Sequence, residues 1–391
     1  MFGAMFIGLS GMNAYSNGLR QVSNNITNLN SNGYRATTIG FNDLFGSGSS
    51  GVSYTRGGGG NGTGVELSLE RLDFSQGEIR QTDRDLDLAI EGNGFLVLEG
   101  GGNYYYTRTG SFEVDNDGFI VLAGTDYKLT VLNANGKAES LSLDSYRIDA
   151  PEATTTIQFG DNLSSTATEL LLSDVEVFNA QGASDTWQIA FNREATDPEG
   201  EWKVKVTNGA GDELGEKTLK FINGIIDPTT SELEFSDAAG GRTVSLDFSE
   251  NVTSFSSGEV STLRTTDIDG FGIGEITTVS VNEDGELEIQ YSNEQTENLG
   301  AISIADFQDV QSLERAGAGL FTYNKSTGRE LLSSTSERVG LVRSNRIEAS
   351  NVDLSQQFGD LILVQRGYQA SSQVVSVSND MIQQLFGLRG Q

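Results

Sequence analysis

The sequence predicts a multidomain, mainly β protein whose two terminal segments are α-helices that pair with each other. Both terminal segments place apolar residues at helical spacing, and the body between them consists of short β-rich runs separated by Gly, Asn and Asp. The terminal helices have to lie side by side to bury their apolar stripes. We therefore expect a coiled-coil-like inner domain built from both termini, with β-rich middle and outer domains nested between them.

The N-terminal segment has the period of a helix with one buried stripe. Between Met5 and Leu29 the apolar residues recur at alternating steps of three and four. Residues 30–33, with the sequence Asn-Ser-Asn-Gly, predict the end of this helix, because Gly33 can take the left-handed conformation that often ends helices. The stripe residues are Met12, Tyr15, Leu19, Val22, Ile26 and Leu29.

The C-terminal segment repeats its apolar residues every seven positions, which is typical of a coiled coil. Polar residues such as Ser23 and Ser371 interrupt both stripes, so a lone pair of these helices would pack weakly. Further copies of the chain would bury more of each helix, although a helical hairpin within one monomer would show the same pattern. The residues expected to carry polymerisation are Met12, Leu19, Val22, Ile26, Leu29, Leu354, Phe358, Leu361, Tyr368, Val375, Ile382 and Leu385.

The body between the helices reads as two sets of strands. The first set predicts an antiparallel domain built from hairpins, and the second predicts a sandwich or barrel of its own. Strands resume near residues 276–291. The first set comprises residues 86–90, 94–98, 104–107, 119–122 and 128–131, and the second includes residues 186–191, 202–206 and 242–248.

These patterns predict a nested order of domains along the chain. The terminal helical domain comprises residues 1–30 and 354–391, and extended connectors follow at 31–70 and 325–353. The Gly-rich runs at 46–51 and 57–60 fall in the first connector. An inner β domain is expected over 71–147 and 263–324, with an outer β domain inserted at 148–262.

Charge separates the ends from the body. The first 40 residues carry a net charge of +2 and residues 354–391 carry none, so residues 41–353 carry −32 of the total of −30. This acidic surface would repel nucleic acid and anionic lipid, because both are polyanions that bind through Lys and Arg. We expect no nucleic-acid partner, and solubility alone is an alternative explanation of the charge.

The composition also limits cofactors and membrane insertion. The chain contains no Cys and no His, which excludes disulfides and the usual zinc, iron and copper sites. The first positive charge is Arg20, so the N-terminus lacks the basic start of a cleaved signal peptide. No apolar run approaches the roughly 18–20 residues that span a bilayer, and we expect no membrane insertion.

Four acidic or Gly-rich motifs are candidate sites of chemistry. Residues 115–118 and 267–270 resemble the start of a calcium loop, but the spacing from Asp115 fails at positions five, six and twelve, which favours turns. Asp83, Asp85 and Asp87 alternate along a possible strand, as paired catalytic carboxylates might, yet Arg84 separates them. Residues 270–274 open a strand and not a nucleotide-binding helix. We expect no catalytic residue, cofactor or metal, and no enzyme.

Several segments resemble the bacterial flagellar rod and hook proteins. The resemblance lies in residues 24–28 and 32–35 near the N-terminus and in 350–354 and 365–370 near the C-terminus. Inner segments at 87–95, 106–112, 304–307 and 317–321 are also similar to that family. The motif residues are Asn24, Asn25, Ile26, Asn28, Gly33, Tyr34, Ser350, Asn351, Val352, Asp353 and Leu354.

The resemblance implies a structural subunit of an extracellular flagellar polymer. The inserted segment at 148–262 favours the hook, the curved universal joint that transmits torque from motor and rod to filament. It implies export through the flagellar type III apparatus without a cleaved signal. The implied partners are further copies of the chain and the distal rod, hook cap and hook–filament junction proteins. A distal rod subunit, or a secreted adhesin or carbohydrate-binding protein, are the alternatives.

Overall fold

A computed structural model describes residues 2–43, 64–68, 70–194, 198–237 and 240–388 of the protein, with the side chains of Phe2, Asp43 and 385–388 left undescribed. Helix α1 is Phe2–Thr27 and helix α2 is Leu354–Leu388. Almost all other regular structure is β, which confirms a mainly β chain with one helix at each end. The Gly-rich runs at 46–51 and 57–60 lie outside the described residues.

The strands follow in chain order, with two short 3₁₀ helices at Leu143–Tyr146 and Val310–Ser312. The first twelve are β1 Thr37–Thr38, β2 Phe41–Asp43, β3 Val65–Leu67, β4 Arg71–Leu72, β5 Ile79–Gln81, β6 Asp87–Glu91, β7 Phe95–Gly100, β8 Asn103–Thr107, β9 Thr109–Val114, β10 Ile120–Leu122, β11 Lys128–Leu132 and β12 Ala138–Ser140. Strands β13 to β23 are Ile148–Asp149, Thr156–Asn162, Glu169–Phe178, Ser184–Asn192, Glu201–Thr207, Glu213–Ile222, Ile225–Ile226, Glu232–Asp237, Arg242–Asp247, Val252–Thr253 and Arg264–Ile268. Strands β24 to β32 are Gly274–Val281, Glu286–Tyr291, Thr296–Ala301, Ser303–Phe307, Leu313–Gly317, Leu320–Tyr323, Arg329–Ser333, Leu341–Arg343 and Arg346–Glu348.

Every β-rich run predicted from the sequence coincides with a strand, within one or two residues at its ends. Gly33 has a φ of 68°, so the predicted left-handed residue after α1 is confirmed. The interpretation of Asp83, Asp85 and Asp87 as one strand is wrong. Residues 83–86 form a bend and a turn, β6 begins only at Asp87, and Asp87 is buried while Asp83 and Asp85 are exposed.

The chain divides into two compact units. The first unit contains residues 1–143, 279–288 and 298–391, and therefore both helices. Its main sheet has twelve strands with the path β28-β29-β8-β7-β11-β10-β9-β6-β31, while β12 pairs with β11 and β27 pairs with β7 and β30. Aromatic rings fill one core beside this sheet, with Phe95 in edge contact with Phe74, Phe307 and Phe321 at centroid distances of 5.6–6.0 Å.

The second unit contains residues 144–278 and 289–297. Its sheet has ten strands in the order β15-β16-β17-β18-β19-β22-β14-β21-β20, with β23 beside β14. Alternate residues of β17 are buried, namely Trp202, Val204 and Val206, as expected for a strand with one face in a core. Residues from both ends of the strand order join a single apolar core, so the sheet curves around it. A further sheet has the order β13-β24-β25-β26.

Candidate functional site at the paired termini

The two terminal helices lie against each other through small residues. A Cβ atom added to Gly8 would lie 2.8 Å from Val375 Cγ2, and one added to Gly11 would lie 2.5 Å from Ser371 Oγ. Ala14 and Gly18 continue the same buried face of α1. The helix backbones therefore approach more closely than larger side chains would allow, as small residues permit in other close helix pairs.

The residues predicted for polymerisation differ in how far the single chain buries them. Val22 is fully buried, and Leu354 and Phe358 are exposed. The side chain of Leu385 lies outside the described residues. Their role in polymerisation stays a prediction. The half-buried members of the set are Met12, Leu19, Ile26, Leu29, Leu361, Tyr368, Val375 and Ile382.

Large apolar side chains of both helices face away from the helix contact. Leu363 is 61% exposed and Phe6 is 68% exposed, values far from those of a satisfied core residue. Ten large apolar side chains exposed on two helices indicate a protein contact that the single chain does not supply. The exposed set is Phe6, Ile7, Leu9, Leu354, Phe358, Ile362, Leu363, Val374, Val377 and Met381.

Substitution Gly367→Ala is expected to weaken the helix pair. Its Cβ atom would lie 2.4 Å from Tyr15 Cζ, and the Tyr15 ring is held in turn by Phe41 at a centroid distance of 4.9 Å. Overpacking of this kind costs about 1–3 kcal/mol. Gly359→Ala in the same helix is the control, because no atom lies within 4 Å of its added Cβ and Ala favours helix by roughly 0.5–1 kcal/mol. Faster amide hydrogen exchange in α1 and α2 of the Gly367 variant alone would confirm the close contact, and equal exchange in both variants would contradict it.

Asn25 joins helix α1 to helix α2 and to the segment that follows α1. Its side chain is fully buried and donates from Nδ2 to the Thr37 carbonyl at 2.9 Å and to Gln357 Oε1 at 2.9 Å. Its Oδ1 accepts from the Thr37 amide at 3.0 Å and from the Tyr34 hydroxyl at 3.2 Å. All four hydrogen bonds that an amide side chain can make are therefore satisfied.

Asn351, which lies just before α2, joins that end of the chain to the segment that follows α1 and to residues 73–75. Its Oδ1 accepts from the Ala36 amide at 2.7 Å, and its Nδ2 donates to the carbonyls of Asp73 at 2.8 Å and Ser75 at 3.0 Å. Asp353 then caps α2 by accepting from the Ser355 amide at 2.7 Å. The motif residues of the two chain ends, which lie more than 300 positions apart, are thus joined by hydrogen bonds to one short segment around residues 34–37.

A buried group of three charged side chains, Arg35, Glu348 and Arg108, lies beside these amides. Arg35 Nη2 donates to Glu348 Oε1 at 2.8 Å, and Arg108 Nε donates to Glu348 Oε2 at 3.2 Å. Glu348 is 0% exposed, and it also accepts from the Gly77 amide at 2.6 Å. Burial lowers the pKa of Arg108, and the charge of Glu348 opposes that shift.

The surroundings of both guanidinium groups supply further acceptors. Arg35 Nη1 donates to the Ser75 carbonyl at 2.8 Å, and Arg108 donates to the carbonyls of Gly92 and Gly94, the latter at 3.1 Å. One carboxylate therefore offsets half of the charge of two buried cations, and carbonyl oxygens solvate both guanidinium groups. Among the described residues, Arg35 Nε has no hydrogen-bond partner. A cluster with this many bonds to distant segments of one chain holds those segments together.

Sequence reasoning missed the small-residue contact and the buried charges. The stripe was drawn through large apolar residues, although Gly8, Gly11, Ala14 and Gly18 share a face at steps of three and four. Arg35 and Arg108 fall inside segments similar to the flagellar family, but nothing in the sequence assigns them a role, and Glu348 gives no periodic signal.

Only one of the two acidic motifs forms a turn. Asp115 Oδ1 accepts from the amides of Asp117 at 2.9 Å and Phe119 at 2.8 Å, which confirms the turn predicted at 115–118. Residues 267–268 belong to strand β23, and Asp269 accepts from the distant amides of Thr155 and Thr156, so the turn predicted at 267–270 is wrong. Within the part of the chain that the structure describes, no group of three acidic, His or Cys side chains could hold a metal ion.

Two segments of the chain match models of flagellar protein families. Residues 343–388 match the family model described as flagellar basal body rod FlgEFG protein C-terminal, and residues 89–162 match the flagellar hook protein FlgE/F/G D1 domain. The flagellar hook protein FlgE of Escherichia coli K12 is 28% identical, and the alignment covers 97% of this chain and 98% of that protein. The chain is therefore similar to flagellar hook proteins along nearly its whole length.

Further flagellar hook proteins match along the whole chain. The hook protein of Borreliella burgdorferi is 25% identical, with all of both chains covered, and that of Brucella suis is 29% identical over 100% of this chain and 99% of its own length. A crystal structure of the Helicobacter pylori flagellar hook protein FlgE2 aligns with a TM-score of 0.47 and 12% identity, over 69% of this chain and 99% of that one.

Proposed function

We propose that this chain is a structural subunit of the bacterial flagellar hook, which polymerises into the curved joint that transmits torque from rod to filament. The observation that carries the proposal is full-length similarity to proteins named as hook proteins. The exposed apolar residues on both terminal helices support it, because a subunit of a polymer has to keep such surface available for its neighbours. A structural role of this kind requires no catalysis, and we propose none.

We further propose that residues 1–30 and 354–391 pair as a coiled-coil-like inner domain that forms the wall of a tube. The close approach of α1 and α2 at Gly8, Gly11 and Gly367 supports this pairing. The residues predicted for polymerisation would pack between copies. Leu354 and Phe358, which are exposed in the single chain, are the clearest members of that set.

Outside the tube we propose the nested order expected from the sequence. Residues 31–70 and 325–353 act as connectors, 71–147 and 263–324 form the inner β domain, and 148–262 form the core of an inserted outer domain. The buried cluster of Arg35, Glu348 and Arg108 supports this arrangement, because it ties both connectors to the inner β domain.

We propose that the chain is exported through the flagellar type III apparatus without a cleaved signal and acts outside the cell. Its partners would be copies of itself, the distal rod, the hook cap and the hook–filament junction proteins. Within the described residues, neither helix combines the length and apolar character that crossing a bilayer requires.

Substitution Leu363→Asp tests the polymerisation proposal. Leu363 is 61% exposed in the single chain, so the subunit should fold normally, while an unpaired charge buried between copies would cost several kcal/mol and abolish assembly. Leu171→Asp is the matched control, because Leu171 is 59% exposed but lies in the second unit. Sedimentation and electron microscopy would measure assembly. Normal polymers of the Leu363 variant would contradict a tube built through this face of α2.

A distal rod subunit is the less supported alternative, since the relatives described above carry the hook name. Micrographs of the assembled protein would separate the two possibilities, because a rod is expected to be straight and a hook curved.

A further inference from the structure

A cavity of about 370 Å³ opens beside the C-terminal end of α1. One wall is the segment that follows α1, including Tyr34 and Arg35, and the other is the β28–β29 hairpin with Arg315. The cavity is large enough for one or a few side chains. Its lining contains two arginines and no carboxylate, although the chain has 55 acidic residues and 25 basic ones.

The two arginines of the cavity differ in whether their charge is paired. Arg35 is paired with the buried carboxylate of Glu348 at 2.8 Å, which it shares with Arg108. Arg315 has no ion pair with any carboxylate of the described residues. Arg315 is therefore the arginine of the cavity whose guanidinium is not already bound to a carboxylate of the described residues.

Arg315 is held in place although its charge is unpaired. Its guanidinium carbon lies 4.9 Å from the centre of the Tyr34 ring. Its Nη2 donates to Thr37 Oγ1 at 3.1 Å and to the Arg35 carbonyl. These contacts occupy Nη2 and one ring face, while Nε and Nη1 remain for another acceptor. A guanidinium fixed in this way loses little rotamer freedom when Nε or Nη1 donates a charge-assisted hydrogen bond to a carboxylate.

The opposite rim is a tight turn that leaves the space open. Gly317, Ala318 and Gly319 have left-handed φ values of 93°, 50° and 76°. Two glycines suit this backbone, but Ala318 takes a conformation that L side chains rarely adopt. The three residues add only one methyl group to the cavity wall.

We propose that this cavity is a carboxylate-binding site and that an Asp or Glu side chain of a second copy occupies it in the polymer. Charge complementarity selects the occupant, because the surface of each copy is dominated by carboxylates and the cavity has none. The inference rests on the proposed polymerisation and adds to it a polar contact on the first unit, separate from the apolar faces of the helices.

Arg315→Gln in the full chain tests the proposal. This variant loses a hydrogen bond between charged groups of two copies. The critical concentration for its assembly should therefore rise roughly ten-fold or more. Arg264→Gln is the control, since it removes the same charge from an exposed pair with Asp161 in the second unit, and it should change the critical concentration less than about two-fold. Arg315→Lys keeps the charge without the planar group that lies over Tyr34, and its critical concentration should fall between those of the other two variants. Equal critical concentrations for the Arg315→Gln and Arg264→Gln variants would overturn the proposal.

Acetate, a free carboxylate, distinguishes a binding role of Arg315 from a structural one. At equal ionic strength, sodium acetate should raise the critical concentration of the wild type more than sodium chloride does, and this difference should vanish in Arg315→Gln. If the variant instead unfolds at lower urea and the wild type shows no acetate-specific effect, Arg315 is structural and the proposal is overturned. In the isolated wild-type subunit, acetate should shift the NMR signals of the Gly317 to Gly319 amides. Such a shift together with normal assembly of the Arg315→Gln variant would mean that the cavity binds only free carboxylates. That result would also overturn the proposal that a second copy occupies the cavity.

The two proposals fail in distinguishable ways. A wild-type chain that forms no polymer would remove the proposed function, while the acetate titration of the subunit would still test the cavity. A wild-type chain that polymerises without any acetate effect would remove only the cavity proposal.

Discussion

Substitution Glu348→Gln is expected to lower the free energy of unfolding of the first unit by about 3–5 kcal/mol. Glu348 is fully buried between Arg35 and Arg108, at 2.8 and 3.2 Å. Gln keeps the size of the side chain but removes its charge, so two guanidinium groups remain buried without a counter-ion. The penalty is large because neither arginine can lose its proton or reach water without rearranging the segments that it holds.

Exposed ion pairs should behave differently. Glu330→Gln is the matched control, because Glu330 pairs with Arg338 at 2.8 Å while both side chains are more than half exposed. Removing such a pair changes stability by about 0–1 kcal/mol. A comparable loss in the two variants would contradict the view that burial of the Glu348 cluster makes it decisive.

The chain provides its own internal reference for this measurement. Both tryptophans, Trp187 and Trp202, lie in the core of the second unit. Urea unfolding followed by tryptophan fluorescence should therefore be unchanged in the Glu348 variant. Far-UV circular dichroism, which also reports α1, α2 and the twelve-stranded sheet, should shift to lower urea. A shift of the tryptophan transition would mean that the effect is not confined to the first unit.

The parts of the fold that are encoded locally could be predicted from the sequence. The start of α2 at Leu354 and the strand at Trp202 to Val206 follow from periodicity, and Gly33 follows from the chemistry of a helix end. The same local logic failed at Asp83 to Asp87. Alternating acids suggested a strand there, but residues 83–86 turn before β6 begins.

The candidate site could be predicted only in part, because its partners are distant in sequence. Asn25 and Asn351 were found through family motifs, but their shared attachment to residues 34–37 depends on tertiary structure. Glu348 is one carboxylate among 55 acidic residues, and nothing in its neighbours marks it as the buried one.

The contact between the two helices could not be predicted for a different reason. Hydrophobic periodicity weighs large side chains, while close packing of α1 on α2 depends on the absence of side chains at Gly8 and Gly11.

Removal of the ten-stranded sheet of the second unit is expected to leave a folded first unit and to change the shape of the polymer. The entry and exit of this segment are adjacent, because Glu152 and Phe271 exchange backbone hydrogen bonds at 3.0 and 3.1 Å. Residues 153–270 can therefore be replaced by a short Gly-Ser linker without stretching the chain. The deletion extends beyond 148–262 on the C-terminal side because β23, Arg264–Ile268, pairs with β14.

The terminal helices of the truncated chain should still assemble, because the apolar faces and the small-residue contact are intact. The removed segment contains 21 acidic and seven basic residues, a net charge of −14. In the proposed arrangement, where this segment forms an outer layer, acidic surfaces on neighbouring copies would repel one another over a Debye length of about 8 Å at physiological ionic strength, and over longer distances at lower salt. Because contacts among outer layers would favour one curvature, the truncated polymer should be straight or lose its defined supercoil.

Low salt should alter the curvature of the full-length polymer more than that of the truncated one, as measured on electron micrographs. Truncated polymers that keep the parental curvature would show that the outer layer has no part in setting shape, and would favour the rod alternative.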